Sequence, residues 1–194
     1  MKTTTQSQNH PRPGSVLIIE PLRSLEDVKK VEGVLSKHPR NLALWKLGIN
    51  SNLRASDLLA LKNSDIDWQR GEIRLREKKT GKTRHIALSA GVLSRLEAIK
   101  GEPDDYLFRS AKGGGMITVS ALNAMIKTWC FRAGIKGNFG SHTLRKSWAA
   151  IQYSVFKTDL ALISRELNHA NMRTTYRYLG IMPDDVRAIY MREI

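Results

Sequence analysis

Only one stretch of this 194-residue chain exchanges helical spacing for strand spacing. Between Gly71 and Leu88, Ile73 and Leu75 alternate with Glu72, Arg74 and Arg76, and Ile86 and Leu88 alternate on the return. Two such runs joined through Lys79-Thr80-Gly81-Lys82 predict a single antiparallel hairpin. Elsewhere the apolar residues recur at three- and four-residue intervals, the period of helices that bury one face. The chain is therefore predicted to be α+β and mainly α-helical, with a small antiparallel β-sheet or hairpin at about 71–88 packed on a helical core.

Capping and breaking residues divide the helical portion. Ser24, followed by Asp27, opens a helix on which Leu25, Val28, Val31 and Leu35 share a face, and Pro39 ends it. A second helix is predicted from Asn41 to about Gly48, a break at Asn50-Ser51-Asn52, and a third from Ala55 to Lys62. Further helices are expected at about 90–99, 119–133, 143–153 and 159–167, then a short one reaching Tyr178 and a last one from Asp184. Gly113-Gly114-Gly115 reads as a loop; it lacks the Gly-Lys-Ser or Gly-Lys-Thr that opens the helix of a phosphate-cradling P-loop.

Charge narrows the partner. Lysine and arginine number 32 against 18 acidic residues, a formal net charge of +14, which makes a polyanion the default partner and favours nucleic acid over a membrane. No run approaches the ~18 to 20 apolar residues of a spanning helix, and the N-terminus has no apolar signal core, so an intracellular protein is expected. The lone Cys130 excludes an internal disulfide and a cysteine-based zinc knuckle, and its apolar helical surroundings place it in the core.

Residue types suited to phosphodiester chemistry recur at intervals. Ser141-His142-Thr143-Leu144-Arg145 is followed by Leu167-Asn168-His169 and by Tyr178, nine residues past that second histidine. Two imidazoles, a guanidinium and a phenol can bind and attack an anionic phosphodiester without a metal. Upstream stand Asn52-Leu53-Arg54-Ala55-Ser56-Asp57-Leu58 and the turn Lys79-Thr80-Gly81-Lys82. In order and spacing these four motifs resemble the tyrosine recombinase family, also called phage integrases, over roughly residues 22–182.

The resemblance implies a site-specific DNA recombinase that cleaves and rejoins strands with no metal, ATP or other cofactor. Arg54 and Arg145 would clamp the non-bridging phosphate oxygens, since guanidinium forks stay charged and bind bidentately. Tyr178 would attack phosphorus, leaving a 3′-phosphotyrosyl enzyme and a free 5′-hydroxyl. His142 is the candidate proton acceptor, Lys79 the general acid for the departing 5′-oxygen, and His169 a hydrogen-bond donor to a non-bridging oxygen. Asp57, shorter than the family's usual glutamate, would support Arg54. Lys78, Lys82, Arg84, Lys146 and Arg173 are candidate DNA contacts. Asn52 and Asn168 replace glycines of the family pattern, and asparagine tolerates the left-handed backbone such turns need.

Tyr176 competes with Tyr178. On one unbroken helix Tyr176, seven residues past His169, would share its face, whereas Tyr178 would lie opposite. The family's Thr-Thr-x-x-Tyr spacing selects Tyr178 only if the chain breaks at Asn168 to Asn171, with Asn171 capping a new helix.

The expected organisation is a flexible arm at 1–20, a catalytic domain at 21–182 and a tail helix at 183–194, with no N-terminal core-binding domain. That arrangement resembles the short recombinases that invert fimbrial promoter segments. The resemblance further implies double-stranded DNA with inverted-repeat sites, a homotetramer on DNA, DNA-bending accessory proteins and a nucleoid-associated place in the bacterial cytoplasm. In the tail, Val186, Ile189 and Tyr190 form an apolar face for docking on the same domain or on a neighbour. The alternatives are a DNA-binding regulator or directionality factor with an idle site, and a type IB topoisomerase-like nicking enzyme.

Overall fold

The computed structural model describes residues 18–180, apart from 78, 80 and 112, together with residue 191. The expected tail helix, most of the N-terminal arm and Lys78 lie outside the described residues. Eight helices and a three-stranded antiparallel sheet are found among those described.

Helix α1 (Leu25–Leu35) starts where Ser24 caps it, the side chain accepting from the Asp27 N–H. It turns Val28, Val31 and Leu35 inward, the face its spacing predicts. Helix α2 (Pro39–Asn50) begins two residues earlier than expected, because proline's fixed φ suits the first helical turn, where no N–H is needed. Leu44, Trp45 and Leu47 of α2 are fully buried, and burial of such side chains stabilises by about 1.5–3 kcal/mol each. Trp45 meets Trp129 of α5 (Val119–Arg132) edge-on, with ring centroids 6.3 Å apart. The Cys130 thiol is buried in the same core, and desolvation pushes its pKa up to about 12, well away from reactivity.

After α3 (Ala55–Ala60) and a 3₁₀ turn (Asn63–Asp65), β1 (Ile66–Asp67) pairs with β2 (Glu72–Arg76), which pairs with β3 (Thr83–Ala87). The hairpin is the one its alternation predicts. The short edge strand β1 is not, because two residues carry no period. Helix α4 (Ala90–Glu97) follows, capped by Ser89, and packs on α2.

Helix α6 (Ser141–Ser154) is shared by two cores. Leu144 and Ile151 join the main one, while Ala149 belongs to a smaller cluster with Ile163 and Leu167 and with Leu179, against which Tyr178 packs. That cluster seats α7 (Leu160–Glu166) and α8 (Met172–Leu179) on α6. Gly48 is what lets α6 lie so close to α2: a Cβ there would come within 2.6 Å of the Leu144 side chain. The segment before α1 straps over α6, with the Leu22 N–H donating to Ser147 Oγ and Thr143 donating to the Glu20 carbonyl.

Candidate active site

Arg145 is the centre around which the site is assembled. It is buried on α6, and its two terminal nitrogens donate to the carbonyls of Asn52, at 2.6 Å, and Leu167, at 2.7 Å. Those carbonyls belong to two turns that the chain brings together from far apart. Asn52 and Asn168 both adopt positive φ, 55° and 53°, the conformation asparagine was expected to supply. The Asn52 side chain also donates to the Glu166 carbonyl at 2.7 Å. One turn delivers Arg54 at the start of α3, and the other delivers His169 between α7 and α8. A guanidinium has five N–H donors, so Arg145 keeps others for an anion.

The break between His169 and the tyrosine is present. Helix α7 ends at Glu166, and α8 starts at Met172 with Asn171 as its cap, the side chain accepting from the Thr174 N–H. On α8, Thr175, Tyr178 and Leu179 face inward, and Tyr176 points out at 42% exposure. The Tyr178 ring meets the His169 ring edge-on, 5.2 Å between centroids. Its hydroxyl is buried without a well-formed hydrogen bond to any described residue. Burial raises its pKa to about 12, while the Arg145 guanidinium, close by, and then Arg54 act in the opposite direction.

Both histidines are held toward their neutral forms. For His142, exposed at the start of α6, partial burial and then the charges of Lys146 and Arg145 lower the pKa; for His169 the causes are burial, then Arg145 and Arg54. His169 Nδ1 lies 3.0 Å from Thr175 Oγ1, which lies 2.9 Å from Ser164 Oγ. No hydrogen bond joins the His142 ring to a described residue.

The other expected residues are dispersed. Lys79 is exposed at the hairpin turn, and Arg173 is exposed on the first turn of α8. Lys82, at the end of the hairpin turn, reaches Asn168 Oδ1 at 3.4 Å. Asp57 is buried on α3. Lys146 turns inward: its ammonium donates to the Ile19 carbonyl at 2.8 Å and stands 5.5 Å from the centre of the Tyr178 ring.

Glu77 was not foreseen. It is 2% exposed, and its carboxylate accepts from Arg54 at 2.8 Å and from Arg84 at 3.3 Å. Arg84 also reaches Glu166, at 3.4 Å, so the structure builds this residue into the site wall. A signal for both existed in the alternation. Counting by twos from Ile73 and Leu75 reaches Glu77, and counting back from Leu88 and Ile86 reaches Arg84, so both charges fall on the inward face. Thr175 and Ser164 gave no such signal, because hydroxyls on amphipathic helices are commonplace.

Guanidinium groups around a buried phenol, the His169 imidazole beside it, a second histidine at the start of α6 and a lysine on a hairpin turn form a set suited to phosphoryl transfer. The sequence model of the phage integrase family matches residues 26–183, and the chain belongs to that family. It is 33% identical to the probable integrase/recombinase YoeC of Bacillus subtilis (strain 168), covering 89% of this chain and 96% of the relative. It is 29% identical to the tyrosine recombinase XerD of Ralstonia nicotianae, covering 98% of this chain and 62% of that protein. Among solved structures, the XerH site-specific recombinase in a post-cleavage complex with a palindromic difH substrate superposes with a TM-score of 0.66 at 25% identity, covering 86% of this chain and 51% of that one. The fold is thus that of tyrosine recombinase catalytic domains, although the chain spans 62% of the length of XerD and about half that of XerH.

Proposed function

We propose that this protein cleaves and rejoins double-stranded DNA at specific sites through a 3′-phosphotyrosyl intermediate, with no metal or ATP. The observation that carries the reading is the convergence of Arg145, Arg54 and His169 on the buried Tyr178, from elements far apart in the chain. Arg54 and Arg145 bind the non-bridging oxygens and stabilise the charge that gathers there in the transition state, a contribution of roughly 3 to 4 kcal/mol per lost donor in comparable sites. The phenol is protonated in the free protein, so attack needs an acceptor. His142, held neutral, takes that proton, and Lys79 protonates the departing 5′-oxygen. Because the covalent link preserves the phosphodiester, a second 5′-hydroxyl reverses the step on another strand.

Membership of the family supports strand exchange, and the palindromic substrate of XerH supports inverted-repeat sites for this chain. Residues 21–182 are the catalytic unit in this reading. Assembly is as a tetramer on DNA with bending proteins, in the bacterial cytoplasm with the nucleoid. A duplex nicked beside the cleavage point traps the covalent intermediate, because the short 5′ fragment diffuses away. The wild-type protein and Tyr176→Phe are expected to form the adduct and Tyr178→Phe to form none. Adduct from Tyr178→Phe would move the nucleophile to Tyr176, and none from the wild type would leave a DNA-binding regulator.

A further inference from the structure

Behind His169 stands a buried pair of hydroxyls that the strand-exchange chemistry does not itself require. Thr175 is fully buried and Ser164 is 6% exposed. Their oxygens form a chain from Ser164 Oγ to Thr175 Oγ1, 2.9 Å, and on to His169 Nδ1, 3.0 Å. Ser164 also holds the turn through its backbone, its carbonyl accepting from the His169 N–H at 3.2 Å.

Two proton arrangements fit these distances. In one, Thr175 donates to Ser164 and His169 Nδ1–H donates to Thr175. The Ser164 hydroxyl proton then has no acceptor among the described residues, in a place where an unmatched polar group is costly. In the other, Ser164 donates to Thr175 and Thr175 donates to an unprotonated Nδ1. Every hydroxyl proton is now used, and the imidazole carries its own proton on Nε2. Which nitrogen of a histidine is protonated follows from the hydrogen bond made by the other.

We propose that Thr175, backed by Ser164, is a positioning residue that fixes His169 as the neutral Nε2–H tautomer. The inference deepens the proposed function and rests on it for the role of that proton: His169 gives a hydrogen bond to a non-bridging phosphate oxygen and does not act as a base. Burial and the charges of Arg145 on α6 and Arg54 before α3 oppose a second proton on the ring, and Tyr178 on α8 covers one edge. Proton acceptance from Tyr178 is then left to His142.

Nitrogen-15 spectra of the full-length protein labelled in histidine read the tautomer directly. At neutral pH the wild-type His169 should show a protonated Nε2 and a bare Nδ1; a protonated Nδ1 would overturn the proposal whether or not the protein cleaves DNA. Thr175→Val should mix the tautomers and slow adduct formation on the nicked substrate by about ten- to a hundred-fold, and Thr175→Ser should restore both. Unchanged spectra and rates in Thr175→Val would also overturn it. A wild-type protein with the Nε2–H tautomer and no adduct would instead remove the functional reading and keep the tautomer.

Discussion

At the scale of residues, the site sets protonation states before DNA arrives. His142 and His169 have folded-state pKa values below the ordinary histidine value, for which burial is the first cause in each. Both are therefore neutral more readily when folded than when unfolded. The unfolded chain binds more protons between the lowered values and about pH 6.5, so stability is full above that range and declines as pH falls through it. Urea titrations between pH 7.5 and 5 should show the midpoint falling, and the fall should shrink when His169 is replaced by glutamine. If His142 is the proton acceptor, as proposed, adduct formation should weaken over the same window, because a protonated His142 cannot accept the phenolic proton. Tyr178, with its pKa raised to about 12, works at the other end, with stability lost only as pH rises above about 10.

At the scale of elements, the ion pairs join the hairpin to the helices. Glu77 follows directly on β2, Arg84 lies on β3, Arg54 precedes α3 and Glu166 ends α7, so two carboxylates and two guanidiniums tie four elements together. The hairpin turn also presents Lys79, the general acid of the proposed mechanism, and Glu77 ties that hairpin to Arg54. Glu77→Gln leaves a hydrogen-bonding shape but removes the charge between two guanidiniums. Because both arginines keep some contact with solvent, we expect a loss of about 1–3 kcal/mol, measured by urea denaturation. Adduct formation should fall further than the folded fraction does; an equal fall would limit Glu77 to a structural role. Alternation made the hairpin legible in the sequence and, extended by one step on each strand, put these charges inside. Pairing them required the third dimension, since Arg54 and Glu77 are 23 residues apart.

At the scale of the molecule, a surplus of 14 positive charges faces a polyanion. Neutralising phosphates releases counterions, so affinity for a duplex should fall linearly on logarithmic axes as salt rises, with a slope of about −0.9 for each phosphate contacted. Fluorescence anisotropy on a short duplex between about 50 and 200 mM salt measures that slope. A flat response would mean that the charge is spread away from the DNA face. Replacing Arg173, exposed on α8, with glutamine should lower the slope by about one, whereas Lys146, already bonded to the Ile19 carbonyl, should affect it less.

The sequence by itself determined the helical periods, the lone hairpin, the break before α8 and the order of the candidate site residues, because each of these is written in local spacing. The asparagines at 52 and 168 were likewise legible, since the left-handed conformation is a local preference. Only the tertiary structure decided that Arg145 would bridge those two turns, that Glu77 would sit between Arg54 and Arg84, and that Thr175 would stand behind His169. The Arg145 and Arg54–Glu77 contacts join segments far apart in the chain, which no local period can pair, and the shorter-range His169–Thr175 contact depends on the turn between α7 and α8. The choice between the two tyrosines drew on both. The break at Asn171 reset the helical phase, and the small core around Ile163 and Leu179 turned Tyr178 inward.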